Sequence, residues 1–428
     1  MTSAQVYTIA AITIPLLFAA RNKLRPDHAA LFIAFLLGLG QFVGLAIFSN
    51  DPSPESVRMV LIGFGQPVTI TLISLFVITG SLEKYGIARW MAARLSMLGN
   101  GSESRLIALY AGAAAALSLL MNNVAAGALL LPSALESAKR SGIAPSKLLM
   151  PVSYGTLLGG GATYFTTANI IASGLLLTAN PPQQPLGILD FTPTGGLIAL
   201  GGLLFIAIFG PRLLPNRTPH EISVDAPDDA IMPRQKVMLS VLILFASVTA
   251  AVLGIPTYLA MLGGLVATLI LGVMSSIEAY NLVDWRTIVL VAGMYPVGVA
   301  LTHTGIAQAL SQMVVTLSTP LGALGLAAGI YLLTAALTQL IGGQVTALVT
   351  APLAISAAIQ AGISPQAIAV TVAIACQAAY FTPMAHPVNT LMLNAGGYRF
   401  SDFWRLGSGV FVVSFVMILV GLKLFWGI

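Results

Sequence analysis

Apolar residues run in stretches of roughly 17–25 along the whole chain, and polar residues gather between them. This is the pattern of helices that span a hydrocarbon core of ~30 Å. In the first half the stretches fall near 5–20, 29–49, 64–82, 105–138, 146–178 and 186–211; in the second they fall near 237–254, 257–275, 287–303, 321–358, 366–394 and 404–427. Two stretches differ from the rest. "SYGTLLGGGATYFTTANIIASGLLL" and "IACQAAYFTPMAHPVNTLML" are interrupted in the middle by Gly, Thr, Pro and Asn. Irregular backbone at bilayer depth is tolerated only where it is buried in protein or lines a cavity, so each reads as a re-entrant hairpin. With the hairpins not crossing, each half crosses five times, and an odd number inverts the second half relative to the first.

Self-similarity supports that division. "GIAPSKLL" begins at Gly142 and "GISPQAIA" at Gly362, an offset of 220. Pro132 pairs with Pro352 and Asn169 with Asn389 at the same offset, and "YGIA" at 85–88 pairs with "TGIA" at 304–307. The chain therefore reads as a first repeat over 1–213, a polar connector over 214–233 and a second repeat over 234–428.

Composition fixes the class. Of 428 residues, 57% are hydrophobic and 8% charged, against roughly 25% charged in soluble domains. The fold class is an all-α polytopic membrane protein, and no polar stretch is long enough for a separate soluble domain. The net charge of +5 is scattered through the loops and is no nucleic-acid signal. It informs topology instead. The predicted crossings place Arg21, Lys23, Arg25, Lys84, Arg89, Arg94, Arg105, Arg212, Arg217, Arg234, Lys236, Arg286, Arg399 and Arg405 on one side, and Arg58, Lys139, Arg140, Lys147 and Lys423 on the other. The richer side is expected to be cytoplasmic, with both termini outside and the connector inside. The N-terminal apolar run has no basic residue before it and no small-residue cleavage site, so it reads as a retained first helix. One cysteine, Cys376, excludes an internal disulfide.

Inverted repeats with interrupted helices at matched positions point to a secondary transporter and to its site. The polar residues at the matched breaks are Asn122, Asn123, Thr163, Thr166, Thr167 and Asn169, and then Gln344, Thr346, Thr382, His386 and Asn389. Helix N-termini at such breaks present unpaired N–H groups to an anion, and freed carbonyls suit a hard cation. Each residue also has a plainer reading, since Asn, Thr and Gly serve interhelical packing and hydrogen bonding in membranes. His386 reads equally as a proton carrier or a hydrogen-bonded structural residue, and Gln339 and Gln377 read as packing amides. No Asp or Glu lies in the middle of a predicted span, which weighs against proton and sodium antiport. No phosphate-binding glycine loop, metal-ligand set or activated nucleophile is visible. The chain is not expected to be an enzyme.

The stretches "MNNVAAGALLLP", "SKLLMPVSYGTLLGGG", "ANIIASGLL", "TQLIGGQVTALVTAP" and "GGYRFSDFWRLG" resemble the divalent anion:sodium symporter family of the ion transporter superfamily. The family's Ser-Asn-Thr motif falls on Asn122-Asn123-Val124 and again on Gly342-Gly343-Gln344. Its Gly-Thr-x-x-Asn motif falls on Phe165-Thr166-Thr167-Ala168-Asn169, with a counterpart at Ala385-His386-Pro387-Val388-Asn389. The resemblance implies an elevator-type carrier, a homodimer, in the inner or plasma membrane. It implies sodium-coupled symport of a small anion, dicarboxylate or sulfate-like. The implied substrate set is Asn123, Val124, Thr166, Thr167, Asn169, Gly343, Gln344, Pro383, His386 and Asn389. The implied sodium set is Asn122, Asn123, Gly159, Gly160, Gly161, Gly342 and Thr382. The sequence departs from the family at Gly342-Gly343, where a second sodium ion loses its side-chain oxygens. The other readings are a proton-coupled anion carrier, an arsenite or antiporter-type relative, and, from another class, a channel-like or non-transporting sensor.

Overall fold

A computed structural model describes residues 1–21, 23–51, 53–85, 102–217, 233–318 and 322–428. Their regular structure is entirely helical. The first half holds α1 (Ser3–Ala20), α2 (Pro26–Phe42), α3 (Pro54–Val57), α4 (Pro67–Lys84), α5 (Glu103–Ser118), α6 (Asn123–Ser141), α7 (Ser146–Gly161), α8 (Thr167–Leu175) and α9 (Thr192–Leu213). The second holds α10 (Arg234–Val252), α11 (Thr257–Ile270), α12 (Ser276–Leu282), α13 (Trp285–His303), α14 (Ile306–Ser318), α15 (Gly322–Ile341), α16 (Gly343–Gln360), α17 (Pro365–Gln377), α18 (Pro387–Ala395) and α19 (Phe400–Phe425). Among the described residues, seven helices are long and apolar enough to cross a membrane.

Local chemistry sets the helix ends. Pro stands in the first turn of α2, α4, α17 and α18, where its missing N–H costs nothing and its fixed φ suits the helix. Capping boxes start α1 (Thr2 with Gln5) and α12 (Ser275 with Glu278), satisfying donors that a helix leaves open. Gly142, at φ 65°, ends α6 in a left-handed turn.

Two bodies of helices pack side by side. In one, α2 lies on α13, α4 on α11, and α10 on both α4 and α11. In the other, α5 packs on α7 and α9, α9 on α19, and α15 on α17. Helices α8 and α16 lie against each other, and each also touches α13 of the first body. Large apolar side chains such as Phe35, Phe42, Phe245, Leu204 and Val416 stay exposed on the outer faces, as a lipid-facing surface requires.

The structure exchanges the roles predicted for two pairs of segments. The runs 105–138 and 321–358, expected as single crossings, are hairpins. Helix α5 turns back at Leu119–Asn122 and packs along α6, where the Tyr110 hydroxyl meets the hydroxyls of Ser133 (2.9 Å) and Ser137 (2.6 Å). Likewise α15 packs on α16. The segments expected as hairpins instead run onward through a break, since α7 and α8 share no extended packing, nor do α17 and α18. Ser146, at the start of α7, accepts the backbone N–H of Arg217 (2.9 Å), and Lys147 pairs with Glu103 (3.0 Å). Gly174, near the end of α8, abuts Val68 at the start of α4 instead. At about 1.5 Å per residue each of these runs is too long for one unbroken crossing, and what separates them is where the chain reverses, at Leu119–Asn122 and at Ile341–Gly342.

Candidate functional site

The two hairpin tips and the two helix breaks surround one cavity of about 450 Å³. The N-terminal turns of four helices line it. They contribute Asn123 and Val124 from α6, Thr167 and Ala168 from α8, Gly343 and Gln344 from α16, and Pro387 from α18, with the caps Asn122, Thr166, Gly342 and His386. A helix N-terminus carries about half a positive charge and open N–H donors. The four do not offer these equally. Asn122 Oδ1 accepts the Val124 N–H (2.8 Å), and His386 Nδ1 accepts the Val388 N–H (3.3 Å), so α6 and α18 are capped by their own side chains. Neither α8 nor α16 has a side-chain cap. Their first-turn N–H groups open on the cavity uncompensated.

Asn123, 3% exposed, joins the two halves. Its Oδ1 accepts from Ser118 Oγ (2.6 Å) and its Nδ2 donates to Gln377 Oε1 (2.9 Å) at the end of α17. Gly160 lies beneath it, and a Cβ there would stand 2.3 Å from Asn123 Oδ1. Thr163 Oγ1 donates to Leu119 O (3.0 Å), fastening the first tip to the first break. In the second break the matching bond runs from Thr382 Oγ1 to Gln339 O (3.2 Å).

Of the residues singled out in the sequence, Asn122, Asn123, Val124, Thr166, Thr167, Gly342, Gly343, Gln344 and His386 come together on the cavity. Asn169, Asn389, Thr382, Pro383 and Gly159, Gly160 and Gly161 do not line it; nor do Thr163 and Thr346. Asn169 and Asn389, both fully buried, brace the breaks from behind. Asn169 Nδ2 donates to Gly160 O (3.2 Å) and Thr163 O (2.5 Å), and Asn389 Nδ2 donates to Ala379 O (2.6 Å) and Thr382 O (3.1 Å). Such bonds hold a turn that lacks its own ladder. The Thr346 hydroxyl returns to Gly342 O in its own helix (2.8 Å). His386 serves as a helix cap with Nδ1 unprotonated.

Sequence reasoning missed Asp284 and Thr287, which line the cavity from the start of α13. Asp284 caps α13 by accepting the N–H groups of Arg286 (3.2 Å) and Thr287 (3.3 Å), and it accepts the Thr287 hydroxyl (2.6 Å). An isolated acidic residue at a helix start reads as a solvated cap, so nothing in one sequence marked it. Among the described residues no Lys or Arg lines the cavity.

The first break leaves one buried oxygen open. Asn169 Oδ1 is buried there without a hydrogen-bond donor, while its own Nδ2 bonds Gly160 O and Thr163 O. A buried acceptor left unmade costs about 1–3 kcal/mol, and sodium is a partner it can take from among oxygen-seeking ions.

Interrupted helices that converge on one cavity in a multi-pass helical protein are the layout in which carrier sites are built. The chain belongs to the citrate transporter family, whose family model matches residues 16–375, within the ion transporter superfamily. It is 32% identical over 238 residues to the uncharacterized transporter YfbS of Escherichia coli, covering 55% of this chain and 38% of that protein. It is 32% identical over 211 residues to the uncharacterized transporter sll0640 of Synechocystis, covering 49% and 32%. It is also similar to sodium/sulfate cotransporter 2 of Chlamydomonas reinhardtii, at 26% over 141 residues, covering 33% and 16%. The matched chain thus spans about a third of the length of the first two relatives. Among solved structures, the YdaH transporter of Alcanivorax borkumensis shares the fold with a TM-score of 0.67 at 17% identity, covering 94% of this chain and 99% of that one. MtrF of Neisseria gonorrhoeae shares it at 0.63 and 16%, covering 95% and 96%.

Proposed function

We propose that the chain is a secondary active carrier that takes a small anion, dicarboxylate or sulfate-like, across the inner or plasma membrane together with sodium. The observation that carries this reading is the pair of uncapped N-termini, α8 and α16, opening on a cavity without a basic side chain. Dipolar N–H groups and amides hold an oxyanion without trapping it, as P-loop and dinucleotide sites do with phosphate. Asn122 Nδ2 and the Gln344 amide, which make no hydrogen bond among the described residues, supply further donors. Asp284 across the cavity disfavours a highly charged substrate in this medium. One anionic group at the N-termini, with sodium beside it, suits these walls better than three carboxylates. The names of the sodium/sulfate relatives agree with this choice.

An inverted repeat accounts for the packing. Helices α6 and α16 begin at 123 and 343, and α8 and α18 at 167 and 387, each pair offset by 220. Contacts exchange between halves in the same sense, α2 with α13 as α11 with α4, and α8 with α16 as α18 with α6. With five crossings and one hairpin assigned to each half after the exchange of roles, this reading keeps the second half inverted. The body carrying hairpins and breaks is the moving part of an elevator, and the body of α1–α4 and α10–α13 is its fixed frame, paired with a second copy. The exchange also carries Lys139, Arg140 and Lys147 to the end that holds Glu103 and Arg217. Among the described basic residues this leaves Arg58 and Lys423 on the outer side, in keeping with outer termini. Pro26 and Asp284, at the inner ends of α2 and α13, then make this an inward-open state.

The test is counterflow in proteoliposomes. The reading predicts that unlabelled sulfate or C4-dicarboxylate inside drives uptake of the labelled anion, and that sodium is required. A channel or a sensor shows no such exchange, and a proton-coupled or antiporter-type relative exchanges in choline buffer as well as in sodium.

A further inference from the structure

Building on the proposed sodium symport, we infer that the Gln339 carboxamide occupies, in the second break, the place a cation takes in the first, so that the carrier couples to one sodium ion per chain and not two. The two breaks are matched at an offset of 220, which makes their differences legible residue by residue. Position 119 is Leu and its partner 339 is Gln. The Gln339 side chain reaches from the second hairpin into the second break. Its Nε2 donates to Ala378 O (2.9 Å) and its Oε1 accepts the Phe381 N–H (3.1 Å). Ala378 O is thereby paired with a neutral donor that the first break, with Leu119 at this position, does not supply.

The buried amide oxygen of the second break is also paired. Asn389 Oδ1, the counterpart of the orphan Asn169 Oδ1, accepts from Ser153 Oγ (2.6 Å). Ser153 has an alanine, Ala373, as its own counterpart, so the first break receives no such hydroxyl. The first break therefore keeps one unpaired buried oxygen, and the second keeps none in this set. Gly343, which stands where Asn123 stands in the first tip, cannot be replaced by a liganding side chain. A Cβ there would lie 2.4 Å from Cys376 O, a backbone atom that cannot swing aside. Close packing at Gly343 and the Gln339 amide bonds thus leave the second tip with fewer side-chain oxygens to offer a hard cation, which needs about six oxygens.

The break carries its own reporter. The Phe381 ring, whose backbone N–H Gln339 holds, packs on Trp404 with ring centroids 4.8 Å apart. Sodium chloride alone is titrated, at constant ionic strength with choline chloride, into the purified full-length protein, followed by calorimetry and by tryptophan emission in a protein whose Trp90, Trp285 and Trp426 are changed to Phe. The expected result is one sodium per chain, a Hill coefficient of 1 and Trp404 emission unchanged by sodium. In Gln339→Ala, which frees Ala378 O, Trp404 emission becomes sodium-sensitive. Two sodium ions per chain in the unaltered protein overturn the inference while leaving sodium symport intact. No sodium binding overturns both. A Gln339→Ala protein that folds and whose Trp404 stays silent removes the amide from this role; if that variant does not fold, the stoichiometry of the unaltered protein decides alone.

Discussion

Asn123 shows how one side chain can sit at bilayer depth without penalty. Both ends of its amide are paired, to Ser118 and Gln377, so the residue costs nothing there and ties a hairpin tip to the opposite break. Removing it leaves buried partners unmade, at about 1–3 kcal/mol. Asn123→Ala should therefore abolish coupled uptake at ordinary sodium and weaken sodium binding by roughly 10–100-fold, read by thermal shift against sodium concentration. Gly160→Ala should do much the same without touching the amide, because the new methyl would displace it. Normal sodium binding in both variants would disprove the site. His386 is a cap in the structure, so His386→Asn should keep thermal stability while His386→Ala lowers it by about 1 kcal/mol. If both behave alike, the cap contributes nothing. The asparagines at 122, 123, 169 and 389 were visible in the sequence because an amide among apolar residues demands a partner. The sequence could not say which of them touch the cavity. Asn169 and Asn389 turn out to hold the breaks from behind, and Asp284 drew no notice because helix caps are common.

At the scale of elements, the breaks were legible in the sequence and their roles were not. Gly159–Gly161 and the Thr-rich run after them mark an interruption, but glycine and threonine serve a bent-back tip and a pierced span equally well. The true tips, Leu119–Asn122 and Ile341–Gly342, carry fewer irregular residues than the breaks do. Length does not separate them either, since the runs 105–138 and 146–178 are almost equally long. The first hairpin is held by Tyr110 against Ser133 and Ser137, so Tyr110→Phe should lower stability by about 1–2 kcal/mol with sodium affinity unchanged, measured by denaturation in detergent with and without sodium. The frame is joined differently, by Lys84 on α4 to Glu278 on α12 at 2.5 Å. The Lys84 hydrogen bond, with help from the Ser275 backbone, holds the Glu278 carboxyl down to about 2 from an ordinary 4.5. A depressed carboxyl stabilises the fold above its ordinary value and loses that contribution as pH falls from 4.5 toward 2. Both side chains are more than a third exposed, so the effect is small and salt-sensitive. The melting-temperature difference between wild type and Glu278→Gln should shrink from pH 6 to pH 3 and in high salt. A constant difference would mean the pair is idle.

For the whole molecule, composition alone settled the membrane and the helices, because no soluble domain is this poor in charge. The offset of 220 is the ground for the proposed pair of repeats, and the helix starts at 123 and 343 and at 167 and 387 fall at that same spacing. The two packed bodies, proposed as mover and frame, were not legible in the sequence, because which helix packs on which is decided by small residues spread along the chain. The frame and the topology meet in one accessibility experiment: cysteines placed in the connector should react only from the inside, and those at either terminus only from the outside. The central claim, an anion carried with sodium through a cavity lined by open helix ends, is tested most directly by flux. Proteoliposomes holding the purified protein are given an inward sodium gradient and labelled sulfate or succinate, with choline replacing sodium in the control. The account predicts accumulation above equilibrium that needs the gradient and vanishes in Asn123→Ala. Equal uptake in sodium and choline, or full accumulation in Asn123→Ala, would contradict it.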